Sequence, residues 1–219
     1  MGSPSDSHIQ VDVSGRSWIV QRPADLETIW ATLDDAEFSE DERLPYWVDL
    51  WPSSLVLGEW LLARASEIQG RVCLDLGCGL GLTALIAQSV GARVLAVDYE
   101  IQALRYARCN AAINSSPSPL WTAMDWRFPA VKKRSCAFIW GGDILYERRF
   151  VAPMLDFLDY ALAGHGLIWI AEPNRNIFEE FRAAAIGRGW TSRRMESRLA
   201  DPLYVQEKKV SVTLWELAR

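Results

Sequence analysis

Val72-Cys73-Leu74-Asp75-Leu76-Gly77-Cys78-Gly79-Leu80-Gly81-Leu82-Thr83 is the stretch on which the fold of this chain turns. Apolar residues lead into an acid, three glycines follow at alternate positions, and a helical pattern begins directly after them. Strand, turn and helix in that order form the setting that a nucleotide-binding turn requires. Glycine lets the backbone take positive φ and lets a ligand approach the main chain closely. The spacing discriminates further. A dinucleotide turn reads G-x-G-x-x-G; here position 82 is Leu, and the third glycine comes one place earlier, at Gly81. Asp75, the acid at the strand end, opposes a pyrophosphate but suits the ammonium of a methionine moiety.

On either side of the turn, strands and helices alternate. Arg71 to Leu76 reads as a strand, Leu82 to Val90 as a helix closed by Gly91, and Arg93 to Val97 as a strand ending at Asp98. A helix over 101–113, a strand over 120–124 and a strand over 135–140 follow, the last ending in Gly141-Gly142-Asp143. A helix over 150–163, a strand over 166–171 and a helix over 176–188 come next, and 190–195 with 209–217 reads as a closing antiparallel pair. Upstream, a helix is expected from Ser53 to Gln69, ended by Gly70. Continuous apolar strands alternating with helices predict an α/β fold, Rossmann-like and doubly wound, with a mostly parallel sheet covered on both faces. Residues 1–44 read as an N-terminal extension packed on the core, and 45–219 as the main domain. In the extension, His8 to Val13 and Ser17 to Gln21 alternate apolar and polar residues around Ser14-Gly15-Arg16, the pattern of a hairpin. Pro23 then opens a short helix with Leu26, Ile29, Trp30 and Leu33 on one face, and an acidic loop runs from Asp34 to Arg43. Residues 1–7 are small and polar and are expected to be unstructured.

Ligands in such sheets bind beyond the carboxyl ends of the strands, so the residues there are the candidates. Gly77, Cys78, Gly79 and Gly81 form the turn itself. Asp98, followed by Tyr99, is placed to accept two ribose hydroxyls; its alternative role is to cap the helix after it. Asp125 and Trp126 follow the third strand, where an aromatic wall and an acceptor for an exocyclic amine would serve an adenine. Together these residues predict S-adenosylmethionine as the cofactor, with S-adenosylhomocysteine as its product.

The totals are those of an ordinary globular protein: 219 residues, half of them hydrophobic, with a net charge of −5. The acidic balance weighs against a nucleic-acid partner, and no apolar run approaches the roughly 20 residues of a membrane span. The start of the chain lacks the pattern of a secretory leader. Four cysteines without a C-x-x-C pair, and two histidines, argue against a metal site and for a reducing cytoplasm. His8, in the N-terminal strand, and His165, in a Gly-His-Gly turn, read as solvated surface residues. Eleven tryptophans are the unusual feature, some expected in the core and some around a pocket.

These residues resemble the class I S-adenosylmethionine-dependent methyltransferases over nearly all of 45–217. The resemblance implies a seven-stranded sheet with an antiparallel strand at the C-terminal end. Pro45-Tyr46-Trp47-Val48-Asp49-Leu50-Trp51-Pro52-Ser53-Ser54-Leu55 is similar to the W-P segment of the family-16, seven-strand protein-lysine methyltransferases, and Gly142-Asp143-Ile144-Leu145-Tyr146 to their D-x-x-Y motif. Ala171-Glu172-Pro173-Asn174-Arg175 resembles the D-P-G-R stretch of the branch acting on electron-transfer flavoprotein, with Glu for Asp and Asn for Gly, so that substrate is not carried over. The resemblance implies that Trp51 lies near the methionine end of the cofactor, that Trp126 packs on adenine, and that Asp143 and Tyr146, the candidate catalytic residues, shape the acceptor entrance beside Gly142. A protein lysine is then the expected acceptor and a monomer the expected state. The competing expectations are a small-molecule N- or O-methyltransferase and a non-catalytic binding module.

Overall fold

The computed structural model describes residues 6–24, 45–201, 203 and 208–219. Two strands form an N-terminal hairpin, β1 (Asp6–Val13) and β2 (Arg16–Pro23). Seven more build one sheet: β3 (Val72–Leu76), β4 (Arg93–Asp98), β5 (Leu120–Ala123), β6 (Cys136–Gly142), β7 (Leu162–Glu172), β8 (Thr191–Ala200) and β9 (Val210–Ala218). Their order is β5-β4-β3-β6-β7-β9-β8. The pairs β3–β4, β4–β5, β3–β6 and β6–β7 are parallel, and β9 runs antiparallel to both β7 and β8. The doubly wound, mostly parallel sheet with its antiparallel C-terminal strand is therefore as expected. Strand order reverses at β3, so the ends of β3 and β6 open the crevice in which such sheets bind ligands.

Both faces of the sheet are dry, which explains the continuous apolar strands. Successive side chains point to opposite faces. In β6, Phe138 and Trp140 pack on one side and Ile139 on the other; in β7, Trp169 and Ala171 oppose Ile168 and Ile170. The first side is covered by α1 (Pro52–Ala63) and α3 (Leu82–Ser89), the second by α5 (Val151–Ala161) and α6 (Asn176–Gly187). Trp140 and Trp169 are fully buried, and burying a large apolar side chain contributes about 1.5–3 kcal/mol. Helix α4 (Ile101–Ile113) matches the expected span.

Several boundaries differ from expectation. The helix expected over 53–69 breaks at Arg64, whose φ of −111° and ψ of 24° are not helical, leaving α2 (Ala65–Ile68) as a separate turn before Gly70. Strand β6 continues through Gly141 and Gly142, because both pair with β7, opposite Ile170 and Ala171. Strand β7 starts at Leu162, so Gly164, His165 and Gly166 lie in a strand with an irregular register rather than in a turn. Asp6 and Ser7 belong to β1: Asp6 pairs with Pro23 and accepts hydrogen bonds from Gln21 Nε2 at 2.6 Å and the Tyr106 hydroxyl at 2.7 Å. His8 and His165 are exposed. The helix expected after Pro23 and the acidic loop lie outside the described residues, as do residues 1–5. Among the described residues, no helix is long and apolar enough to cross a membrane.

Candidate functional site

The three turn glycines all have positive φ, +67° at Gly77, +49° at Gly79 and +87° at Gly81, but different neighbours explain them. A Cβ at Gly81 would sit 2.8 Å from both the Ala107 Cβ and the Trp121 ring, so this glycine lets the turn pack onto α4 and β5. A Cβ at Gly77 would meet Ile144 at 3.0 Å. At Gly79 the nearest atom would be the Trp47 carbonyl oxygen, 3.9 Å away. The main chain at Gly79 thus borders open space, the cradle that a close-lying ligand would fill.

Asp98 closes the other side of that space. Its Oδ2 accepts the Gly79 amide at 2.7 Å and its Oδ1 accepts the Glu100 amide at 2.9 Å, so it both caps the chain before α4 and ties β4 to the turn. Burial raises its carboxyl above the usual range, and the amides of Glu100 and Gly79 oppose that rise. Burial likewise pushes up the thiol of Cys78.

One cavity runs across the ends of β3, β4, β5 and β6. It is lined by Gly77, Cys78, Gly79, Asp98, Tyr99, Asp125, Trp126, Gly142, Asp143 and Tyr146, together with Trp51 at the start of α1. Eleven of the thirteen candidates therefore meet at one place. Aromatic rings arch along it in contact: Trp51 with Tyr46 at 6.2 Å between centroids, Tyr46 with Tyr146 at 5.0 Å, Tyr146 with Phe150 at 5.6 Å, and Phe150 with Trp126 at 5.5 Å. The Trp51 indole donates to the Tyr46 carbonyl at 2.9 Å, which fixes the corner. Asp125 is engaged by Arg127, whose Nε lies 2.8 Å from Oδ2.

Two candidates lie elsewhere, which corrects their expected part in binding. Asp75 is 1% exposed and does not line the cavity; its Oδ2 accepts the Thr83 hydroxyl at 2.6 Å, joining β3 to α3. Gly81 also lies behind the turn, against Ala107 and Trp121.

On the acceptor side, Asp143 has a left-handed φ of +57° and its amide donates to the Ala171 carbonyl at 2.8 Å. Its carboxylate forms a two-pronged ion pair with Arg175. Burial raises the Asp143 carboxyl, and the Arg175 guanidinium works against that shift. Tyr146 is 39% exposed at the mouth, and burial raises its hydroxyl. Beneath the pair, Glu172 is fully buried; one oxygen accepts the Arg175 amide at 2.7 Å and the other has no partner among the described residues. Burial pushes this carboxyl up to about 7. Among the described residues, no group of three or more His, Cys, Asp or Glu is placed to hold a metal ion.

Sequence reasoning missed Tyr46 and Phe150 as parts of the arch, Asp49, Ser54 and Met124 in the lining, and Arg175 as the partner of Asp143. Tyr46, Asp49, Ser54 and Arg175 carried a signal, since they stand inside segments already singled out.

Comparison with known proteins bears on the fold and on the class of protein. The ribosomal protein L11 methyltransferase (PrmA) family matches residues 59–133. The electron transfer flavoprotein beta subunit lysine methyltransferase of Xenopus laevis is 32% identical over 139 residues, 61% of this chain and 54% of that protein. The protein N-lysine methyltransferase METTL21A of Xenopus tropicalis is 29% identical over 114 residues, 50% of this chain and 53% of that protein. The chain spans about half the length of these curated relatives. Among solved structures, the 16S rRNA N2 G1207 methyltransferase RsmC of T. thermophilus, in complex with AdoMet and guanosine, superposes with a TM-score of 0.61 at 16% identity, covering 98% of this chain and 51% of that one. Magnesium protoporphyrin IX methyltransferase of Synechocystis with bound SAH gives 0.59 at 15% identity, covering 77% and 84%. The chain is similar to class I S-adenosylmethionine-dependent methyltransferases, protein-lysine enzymes among them, and shares their fold.

Proposed function

We propose that this protein binds S-adenosylmethionine in the cavity and directs its methyl group to a lysine side chain of a protein. The observation that carries the reading is the cradle at Gly79, held open by the Asp98 carboxylate and facing an aromatic arch. Gly77, Cys78 and Gly79 present main chain to the methionine and ribose parts, Asp98 and Tyr99 take the ribose edge, and Asp125 and Trp126 take the adenine. Trp51, Gly142, Asp143 and Tyr146 lie toward the acceptor. When bound, the cofactor supplies an electrophilic methyl on a sulfonium, which the lone pair of a neutral amine takes as the carbon–sulfur bond breaks onto sulfur.

The chain's own residues align and dry that event. An unperturbed lysine, with a pKa near 10.4, is mostly charged at pH 7, so the cavity must accept an ammonium and let its proton go to water. Asp143, paired with Arg175, shapes the entrance, and the rings of Tyr46, Tyr146 and Phe150 exclude solvent around a narrow alkyl chain. The lysine-specific relatives support the acceptor. One exposed and three buried free thiols support a reducing compartment, and we place the protein in the cytoplasm, acting as a monomer.

Titration calorimetry with S-adenosylhomocysteine tests the first half. Binding at about micromolar affinity, roughly −8 kcal/mol, is expected for the wild type. Gly79→Asp, which fills the cradle, should bind no ligand while still melting cooperatively. Full affinity in that variant overturns the site. Incubation with methyl-labelled donor and lysate, followed by mass spectrometry, tests the second half: label on protein lysine is expected, and label confined to RNA or small molecules overturns the acceptor.

A further inference from the structure

Asn110 is fully buried in α4 and makes three side-chain hydrogen bonds that the proposed chemistry does not use. Its Oδ1 accepts the Gln21 amide at 2.7 Å. Its Nδ2 donates to the Gln21 carbonyl at 3.1 Å and to the Leu80 carbonyl at 3.0 Å. Gln21 belongs to β2 of the N-terminal hairpin; Leu80 belongs to the glycine turn and lines the cavity. Four residues on, Asn114 treats Ile19 in the same way, accepting its amide at 2.9 Å and donating to its carbonyl at 2.7 Å, but its second bond goes to the Asn110 carbonyl at 2.8 Å. The two side-chain amides serve the outer edge of β2 as a neighbouring strand would, and of the two only Asn110 reaches the turn.

Two further links join the hairpin to the cavity wall. Arg22 forms an ion pair with Asp49, which lines the cavity. The Tyr106 hydroxyl donates to Asp6 at 2.7 Å, and its ring packs against Trp47, another lining residue, at 5.8 Å. Three contacts thus run from one hairpin to the wall around Gly79, through the turn on one side and the Tyr46–Trp51 segment on the other.

We infer that the β1–β2 hairpin is a working part of the cofactor site and that Asn110 is its positioning residue, fixing the Gly79–Gly81 arc against the docked hairpin. The inference rests on the reading that the cavity binds S-adenosylmethionine. A turn that is held in place before the ligand arrives needs no ordering on binding; a loosened turn must be ordered at the expense of affinity. Hairpin docking and turn geometry then open and close as one unit.

The experiment compares Asn110→Ala with Asn114→Ala in the full chain. Each removes two bonds to β2, but only the first removes the bond to Leu80. The Gly79 and Gly81 amides, bonded to Asp98 and to the Cys78 carbonyl, are protected reporters. Both variants should melt lower than wild type. Only Asn110→Ala should speed hydrogen exchange at Gly79 and Gly81, tenfold or more, and weaken S-adenosylhomocysteine binding by a similar factor at a temperature where both variants are folded. Equal turn exchange in the two variants overturns the inference. A measurement on the wild type stands even where Asn110→Ala does not fold: across a urea series, the Gln21 and Gly81 amides should share one opening free energy, and opening of Gly81 with the hairpin still protected overturns the coupling. A wild type that binds no S-adenosylhomocysteine would sink the functional reading alone, because the exchange comparison needs no ligand.

Discussion

Asp75 stands at the strand end with its carboxylate turned to Thr83 rather than to the cavity, and its burial makes it a titrating element of the fold. Burial pushes its carboxyl up from 3.8 to about 7, against the opposing hydrogen bond from Thr83. Between those two values the folded state holds more protons than the unfolded state. Its contribution to stability is therefore fully present below about pH 4 and is lost as pH rises toward 7. Asp75→Asn keeps an acceptor for Thr83 and removes the titration. Its stability relative to wild type should rise with pH across that window, by at least ~1 kcal/mol, as read from urea midpoints at pH 5 and pH 8. A difference that does not change with pH would contradict the burial argument. At this scale the glycine spacing was legible because each glycine answers a local backbone demand. The direction of Asp75 was not: alternation puts it on the same face as Cys73, but only the docked structure says that α3 covers that face. Arg175 was unreadable as a partner for the same reason, since it meets Asp143 across two strand ends 32 positions apart in sequence.

At the level of elements, the loop after β7 decides how Arg175 is held. Asn174 has a φ of +64° and is tied to β9: its Nδ2 donates to the Ser211 carbonyl at 2.8 Å, and its Oδ1 accepts the Thr213 hydroxyl at 2.7 Å. Inserting β9 beside β7 is thus what fixes the loop that carries the Asp143 partner. Asn174→Ala loses both bonds and tolerates the left-handed backbone poorly. We expect it to cost about 1–3 kcal/mol by chemical denaturation and to raise backbone mobility at Arg175 by NMR relaxation, with an unmoved Arg175 counting against the tether. Helices α3, α4 and α6 were legible almost to the residue because a glycine, an acid or a helical apolar pattern marks their ends. The break at Arg64 was not, because no glycine or proline stands there, and the early start of β7 was hidden by its own glycines, which suggest a turn.

For the whole molecule, the core residues Val11, Val13, Trp18 and Val20 of the hairpin lie in the same buried cluster as α1, α3 and one face of the sheet. A hairpin with its apolar face in the common core cannot leave without exposing that core. Differential scanning calorimetry should therefore show one transition, with hairpin and sheet amides lost together; an early transition confined to the hairpin would separate them. The sequence made the parallel sheet readable through its continuous apolar strands, and the antiparallel close through two alternating segments. It gave no strand order, because order depends on which faces the helices cover, and it placed the N-terminal segment beside the core without revealing that Asn110 and Asn114 complete its edge.

The arch from Trp51 through Tyr46, Tyr146 and Phe150 to Trp126 also has an optical meaning. Its tyrosines lie within contact range of one another and in chains of touching rings that end in indoles, so light absorbed by a phenol passes to a tryptophan at the cavity wall. A ligand stacked on Trp126 changes the emission at the end of that relay, and the molecule carries its own lamp and detector for whatever enters between them.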